Sequence, residues 1–68
     1  MLVPVESSNI AAVGYEGNVL TVAFKNGSVY TYAGVPLTIY QSLLNAPSKG
    51  QYLAKEIKGK FPHTKVSS

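Results

Sequence analysis

Val19-Leu20-Thr21-Val22-Ala23-Phe24-Lys25-Asn26-Gly27-Ser28-Val29-Tyr30-Thr31-Tyr32-Ala33 is the stretch that decides the fold. Two runs of period-two alternation flank Asn26-Gly27, a strong short-range hairpin signal. Leu20, Val22 and Phe24 share one face of the first run, and Thr21, Ala23 and Lys25 the other. Loop length decides where the tyrosines go. A two-residue loop at Asn26-Gly27 pairs Phe24 with Val29 and puts Tyr30 and Tyr32 on the face opposite Leu20, Val22 and Phe24. They would then form an exposed aromatic platform able to stack bases. A three-residue loop over Lys25-Asn26-Gly27, with Gly27 in a bulge, pairs Phe24 with Ser28. Tyr30 then joins Val22, and Tyr32 joins Leu20, on the core face. A one-residue slip exchanges the faces. We prefer the bulge, because it gathers the large residues on one side and leaves Thr21, Ala23, Val29 and Thr31 outside.

Upstream of this hairpin, Ile10-Ala11-Ala12-Val13-Gly14-Tyr15 is a short apolar run closed by the turn cluster Glu16-Gly17-Asn18. Val3 to Val5 has room for a short N-terminal edge strand. Downstream, Pro36 suits a first helical turn. Leu37 to Ala46 follows, with Tyr40, Leu43 and Leu44 at helical spacing, and Pro47 stops it. Ser48 starts a second helix. Ser48-Lys49-Gly50-Gln51 fits a capping box, and Pro47 with Tyr52 fits a hydrophobic staple. Leu53 and Ile57 form the apolar stripe, with Gln51, Lys55 and Lys58 on the other side. Gly59 ends the helix and Phe61-Pro62 folds back onto the core. The expected fold is α+β: one domain over residues 1–68, built as a three-stranded antiparallel meander packed by two short C-terminal α-helices. Residues 62–68 read as a loose tail. Tyr15, Tyr30, Tyr32 and Tyr40 are read mostly as core, with Ser7 and Ser8 as candidate partners for a buried hydroxyl.

At 68 residues the chain has little surface to bury, and oligomerisation is a common remedy at this size. Hydrophobic content of 46% is too high for a disordered chain, and the apolar runs are too interrupted for a membrane span. The first residues have neither the basic region nor the long apolar run of a secretory signal. With no cysteine, disulfides and thiolate metal sites are excluded, and the composition is compatible with the cytoplasm.

Charge is unevenly placed. Residues 1–35 hold Lys25 against Glu6 and Glu16, a net charge of −1. Residues 36–68 hold Lys49, Lys55, Lys58, Lys60 and Lys65 against Glu56, a net charge of +4. Basic charge gathered in one half points to an anionic partner, or else to a solvated lysine face kept for solubility. The chain has no arginine, the side chain best suited to bidentate base and phosphate contacts, which argues against sequence-specific nucleic-acid readout.

Catalysis is not expected. The carboxylates Glu6, Glu16 and Glu56 are far apart in sequence, and the single histidine, His63, falls in the tail. The few candidate ligands do not make a metal site, and no cofactor is expected. The strongest binding candidate is the start of the second helix, where backbone amides carry partial positive charge. Ser48, Lys49, Gly50, Gln51 and Tyr52 are the candidate phosphate-binding residues, widened by Lys55 and Lys58. Gly50 lies near the second helical position, where glycine costs up to about 1 kcal/mol relative to alanine in a helix interior. Bare backbone there would serve either a ligand or close packing.

The ordered landmarks are Ser7-Ser8, Ile10, Val13-Gly14-Tyr15, Leu20-x-Val22-x-Phe24, Asn26-Gly27 and Tyr30-x-Tyr32, then Val35-Pro36, Tyr40, Leu44, Ser48-x-Gly50-x-Tyr52 and Ile57. In this order they resemble the KTSC domain, named for the C-terminal extension of some lysyl-tRNA synthetases, over roughly residues 5 to 61. The resemblance implies a small α+β domain, also found free-standing in bacteria and their phages, with no catalytic residue set. It implies a cytoplasmic setting, in a bacterium or a phage-infected host. The synthetase context points toward RNA, and the phage context toward a small factor acting on a host pathway. The expected function is a non-enzymatic, oligomeric binding module for a phosphate-bearing ligand, either RNA or a small nucleotide, with nucleotide sequestration by a phage protein as one form of the latter. The alternative is a protein-interaction module for an acidic host partner that binds no nucleotide. No membrane partner is expected.

Overall fold

The computed structural model describes residues 2–67. They form a five-stranded antiparallel sheet in sequential order: β1 (Val3–Pro4), β2 (Ile10–Glu16), β3 (Val19–Phe24), β4 (Val29–Ala33) and β5 (His63–Ser67). Between β4 and β5 run α1 (Leu37–Asn45), a single turn of α-helix α2 (Lys49–Tyr52), and a π turn over Leu53–Ile57. The α+β reading stands, but the three-stranded meander does not. β5 falls where a loose tail is expected, because a short polar segment beyond Pro62 carries no apolar alternation. Its order comes instead from an open partner edge. Tyr30 pairs with Lys65, Thr31 with Thr64 and Tyr32 with His63, and the Ala33 amide bonds the Pro62 carbonyl at 3.0 Å. Ser68 lies outside the described residues.

Two turns fix the meander. Glu16 pairs with Val19 across Gly17-Asn18, and both turn residues have positive φ, 57° and 66°. That is the backbone of a tight hairpin whose twist matches its strands, and glycine and asparagine reach it at least cost. The second turn takes three residues, as expected. Val22 pairs with Tyr30 and Leu20 with Tyr32, the Gly27 amide bonds Phe24 O at 3.0 Å, and Gly27 sits at φ 96°. Tyr32 is consequently buried with the core. A third irregularity was not foreseen. A bulge at Ala11 lets both Ile10 and Val13 face inward, although their spacing of three does not suit a regular strand.

The inner sheet face meets the helices in a core of Ile10, Val13, Leu20, Val22, Tyr32, Val35, Leu43, Leu53 and Ile57. Burying each of these large apolar side chains contributes about 1.5–3 kcal/mol. Phe61 packs against this cluster, so the return of the chain after Gly59 serves the core as expected. No helix among the described residues is long and apolar enough to cross a membrane.

Candidate functional site

Directly opposed residues on antiparallel strands share a face. Tyr30 and Tyr32 point to the inner face of the sheet, and His63 and Lys65 lie opposite them on β5. The helices seal Tyr32 but leave Tyr30 half-buried and His63 exposed. A cleft of about 670 Å³ opens there. Its floor is Tyr30 and Tyr32. One end is Phe24 with the hairpin turn (Lys25, Asn26 and Ser28), and the other wall is His63 with Lys58-Gly59. Ser8 and Asn9 close the remaining side.

Local chemistry holds these walls in place. Ser7 Oγ accepts from the Asn9 and Ile10 amides, each at 3.2 Å, which fixes the loop that carries Ser8 and Asn9. The Asn9 carbonyl accepts from the Lys25 amide at 2.8 Å, tying that loop to the hairpin turn. Asn26 Oδ1 accepts from the Ser28 amide at 2.9 Å, a side-chain mimic of a backbone turn. On the opposite wall the Lys58 amide reaches back five residues to the Leu53 carbonyl at 2.8 Å. This π bond keeps Leu53 and Ile57 buried while Lys58 leaves the helix axis and comes to the cleft. Such turns recur at functional positions.

The aromatic rings are ordered relative to one another. Phe24 meets Tyr30 edge-on, with centroids 5.8 Å apart and planes at 87°. His63 lies 5.9 Å from both Tyr30 and Tyr32. Burial pushes the Tyr32 phenol above its ordinary value, with a smaller contribution from neighbouring Tyr30. No carboxylate lines the cleft among the described residues, whereas Lys25 and Lys58 both do.

The structure separates the residues expected to act together at the second helix. Lys58 lines the cleft. Ser48, Gln51, Tyr52 and Lys55 instead surround a shallower hollow of about 330 Å³, which also contains Glu56. The Glu56 carboxylate, 3.5 Å from Lys60 Nζ, puts negative charge beside that hollow. Lys49 turns its ammonium to the Ala46 carbonyl at 3.2 Å. The capping box is not formed. Ser48 occupies the cap position without a side-chain bond, and its carbonyl receives the Tyr52 amide at 3.0 Å. Ser48 and Gln51 are exposed, so solvent reaches the groups the box would have satisfied. Around Gly50, an added methyl would meet only Asn9 Nδ2, at 3.6 Å, an ordinary contact. Packing does not demand the glycine.

Phe24, Lys25, Tyr30 and His63 were not grouped as a site from the sequence. The face assignment of Tyr30 was available, but the strand that brings His63 beside it was not.

A KTSC domain family model matches residues 6–61. The lysine–tRNA ligase of Trichormus variabilis is 52% identical over 64 residues, covering 91% of this chain and 11% of the ligase. A second lysine–tRNA ligase, from a Nostoc strain, is 50% identical over the same length. This chain therefore spans about a ninth of the ligases it matches. A protein of Tsukamurella paurometabola is 38% identical over 60 residues, covering 85% of this chain and 90% of that protein. The crystal structure of a KTSC domain protein from Yersinia pestis superposes with a TM-score of 0.90 at 39% identity, covering 97% of this chain and 96% of that one.

Proposed function

The chain belongs to the KTSC domain family, and on that premise we propose that it is a non-enzymatic binding module whose ligand carries phosphate. One observation carries this reading. The cleft over Tyr30 and Tyr32 is lined by two lysines and a histidine, with no carboxylate among its described lining residues. Basic side chains gathered around one cleft without acids among them favour an anion. The placement of the acids supports a binding rather than a catalytic role. Glu16 ends β2, Glu6 lies in the loop before it, and Glu56 is beside Lys60, so none of the three lines the cleft as an acid or base.

Native mass spectrometry of freshly purified protein, before and after denaturation, tests the reading and reports the oligomeric state. The expected result is a phosphate-bearing mass that is released on denaturation and is lost in the Lys25→Glu, Lys58→Glu double variant. A ligand-free spectrum, together with titrations in which phosphate-bearing compounds leave the cleft amides unmoved, would favour an acidic protein partner instead.

A further inference from the structure

Resting on the phosphate-binding reading of the same cleft, we propose that its ligand is a nucleoside phosphate. The base stacks on the wall formed by Tyr30 and His63, and the phosphate is held by Lys25 and Lys58. The cations alone would accept any polyanion. The rings narrow the choice, because a bare phosphate gains nothing from them, whereas every base has a π-face to stack.

The wall is built for a planar guest. Phe24 fixes the Tyr30 ring edge-on at 5.8 Å, and Tyr32 lies sealed beneath. His63 is exposed on the neighbouring strand, its ring 5.9 Å from Tyr30 and tilted 52° to it, so the two rings do not cover each other's faces by stacking. The polar rim matches a base edge. Asn26 Oδ1 is committed to the Ser28 amide, which leaves its NH₂ as the donor. The cleft volume of about 670 Å³ is of the size that holds a small-molecule ligand. Lys65 lies opposite Tyr30 on the same face and would extend the cationic track for a ligand with further phosphates.

The nucleoside phosphate can be a free nucleotide or one residue of a single-stranded RNA, and one experiment distinguishes them. Amide shifts of the full chain are followed by NMR during titration with the common ribonucleoside monophosphates, their nucleosides, pyrophosphate and a short single-stranded oligoribonucleotide. At least one monophosphate is expected to bind more tightly than both its nucleoside and pyrophosphate, moving the amides of Lys25, Tyr30, Lys58 and His63. Tyr30→Ala and the Lys25→Ala, Lys58→Ala pair should each weaken binding about tenfold or more. His63→Ala, at an exposed position, repeats the ring test where Tyr30→Ala disturbs folding. Tighter binding of the oligoribonucleotide, reduced by Lys65→Ala, assigns the ligand to RNA. Tighter binding of the monophosphate assigns it to a free nucleotide. Pyrophosphate binding as tightly as any nucleotide, with both ring variants unaffected, overturns the base-stacking proposal and leaves the phosphate reading standing. Binding of none of the phosphate-bearing probes overturns both.

Discussion

Tyr15 and Tyr40 stack with ring centroids 5.1 Å apart and planes 13° from parallel, joining strand β2 to helix α1. The Tyr15 hydroxyl donates to the Val35 carbonyl at 2.6 Å, with Asn18 Oδ1 3.0 Å away. One side chain thus fastens a strand, a turn and the chain entering the first helix. Tyr15→Phe keeps the stack and removes the hydroxyl from the Val35 carbonyl. It should cost about 1–2 kcal/mol in urea unfolding, more than a surface hydroxyl would. Tyr40→Leu keeps apolar bulk but loses the stack, and should cost about 0.5–1.5 kcal/mol. If both changes leave the unfolding midpoint unmoved, this tie is not structural.

The β5 pairing gives a sharper test. Removing residues 63–68 takes away the strand opposite Tyr30, Thr31 and Tyr32. Each ladder bond is worth about 0.5–1.5 kcal/mol net, so the loss should be at least about 2 kcal/mol. A domain of this size has only a few kcal/mol to lose. Unchanged stability on truncation would mean that the segment is a tail after all.

Gly50→Ala should leave stability equal or raise it by up to about 1 kcal/mol, because the methyl meets only an ordinary contact and alanine is the better helix former. The same variant should bind ligand normally if the cleft, and not the helix start, is the site. Weakened binding without destabilisation would return Ser48, Lys49 and Gly50 to consideration.

Tyr32 should titrate above the ordinary tyrosine value of about 10, chiefly because burial disfavours the phenolate. Its folded pKa is raised, so its contribution to stability is fully present below pH about 10 and is lost as pH rises through the folded pKa. Phenolate absorbance should show one late-titrating tyrosine, and urea midpoints should begin to fall only above pH about 10. Tyr32→Phe should flatten that alkaline decline. An unchanged decline would assign it to another group.

Much of this fold was legible because two turns have unambiguous chemistry. Asn26-Gly27 and the alternation around it placed Tyr32 with Leu20, and Leu53 and Ile57 were readable as one buried stripe. Two features were not legible. The Ala11 bulge leaves no signature in a run of small apolar residues. β5 is a strand because β4 offers it an edge, a long-range cause that His63-Thr64-Lys65 does not encode locally. The candidate site followed the same division. Lys58 was found from its helix, whereas His63 required the missing strand, and the helix start at Ser48 was favoured because capping residues are conspicuous in sequence even where they close nothing.

The three-residue loop between Phe24 and Ser28 also carries a rule about register. Side chains alternate with a period of two, so what matters is which residues pair across the turn, not how many lie within it. A one-residue slip of the pairing that sets Phe24 beside Ser28 would exchange the inner and outer faces of everything that follows in β4. Tyr32 would move from the core to solvent, and the wall that faces His63 would be dismantled in the same step. Residues inserted at the exposed tip, in odd or even number, should be absorbed by a longer loop as long as that pairing holds.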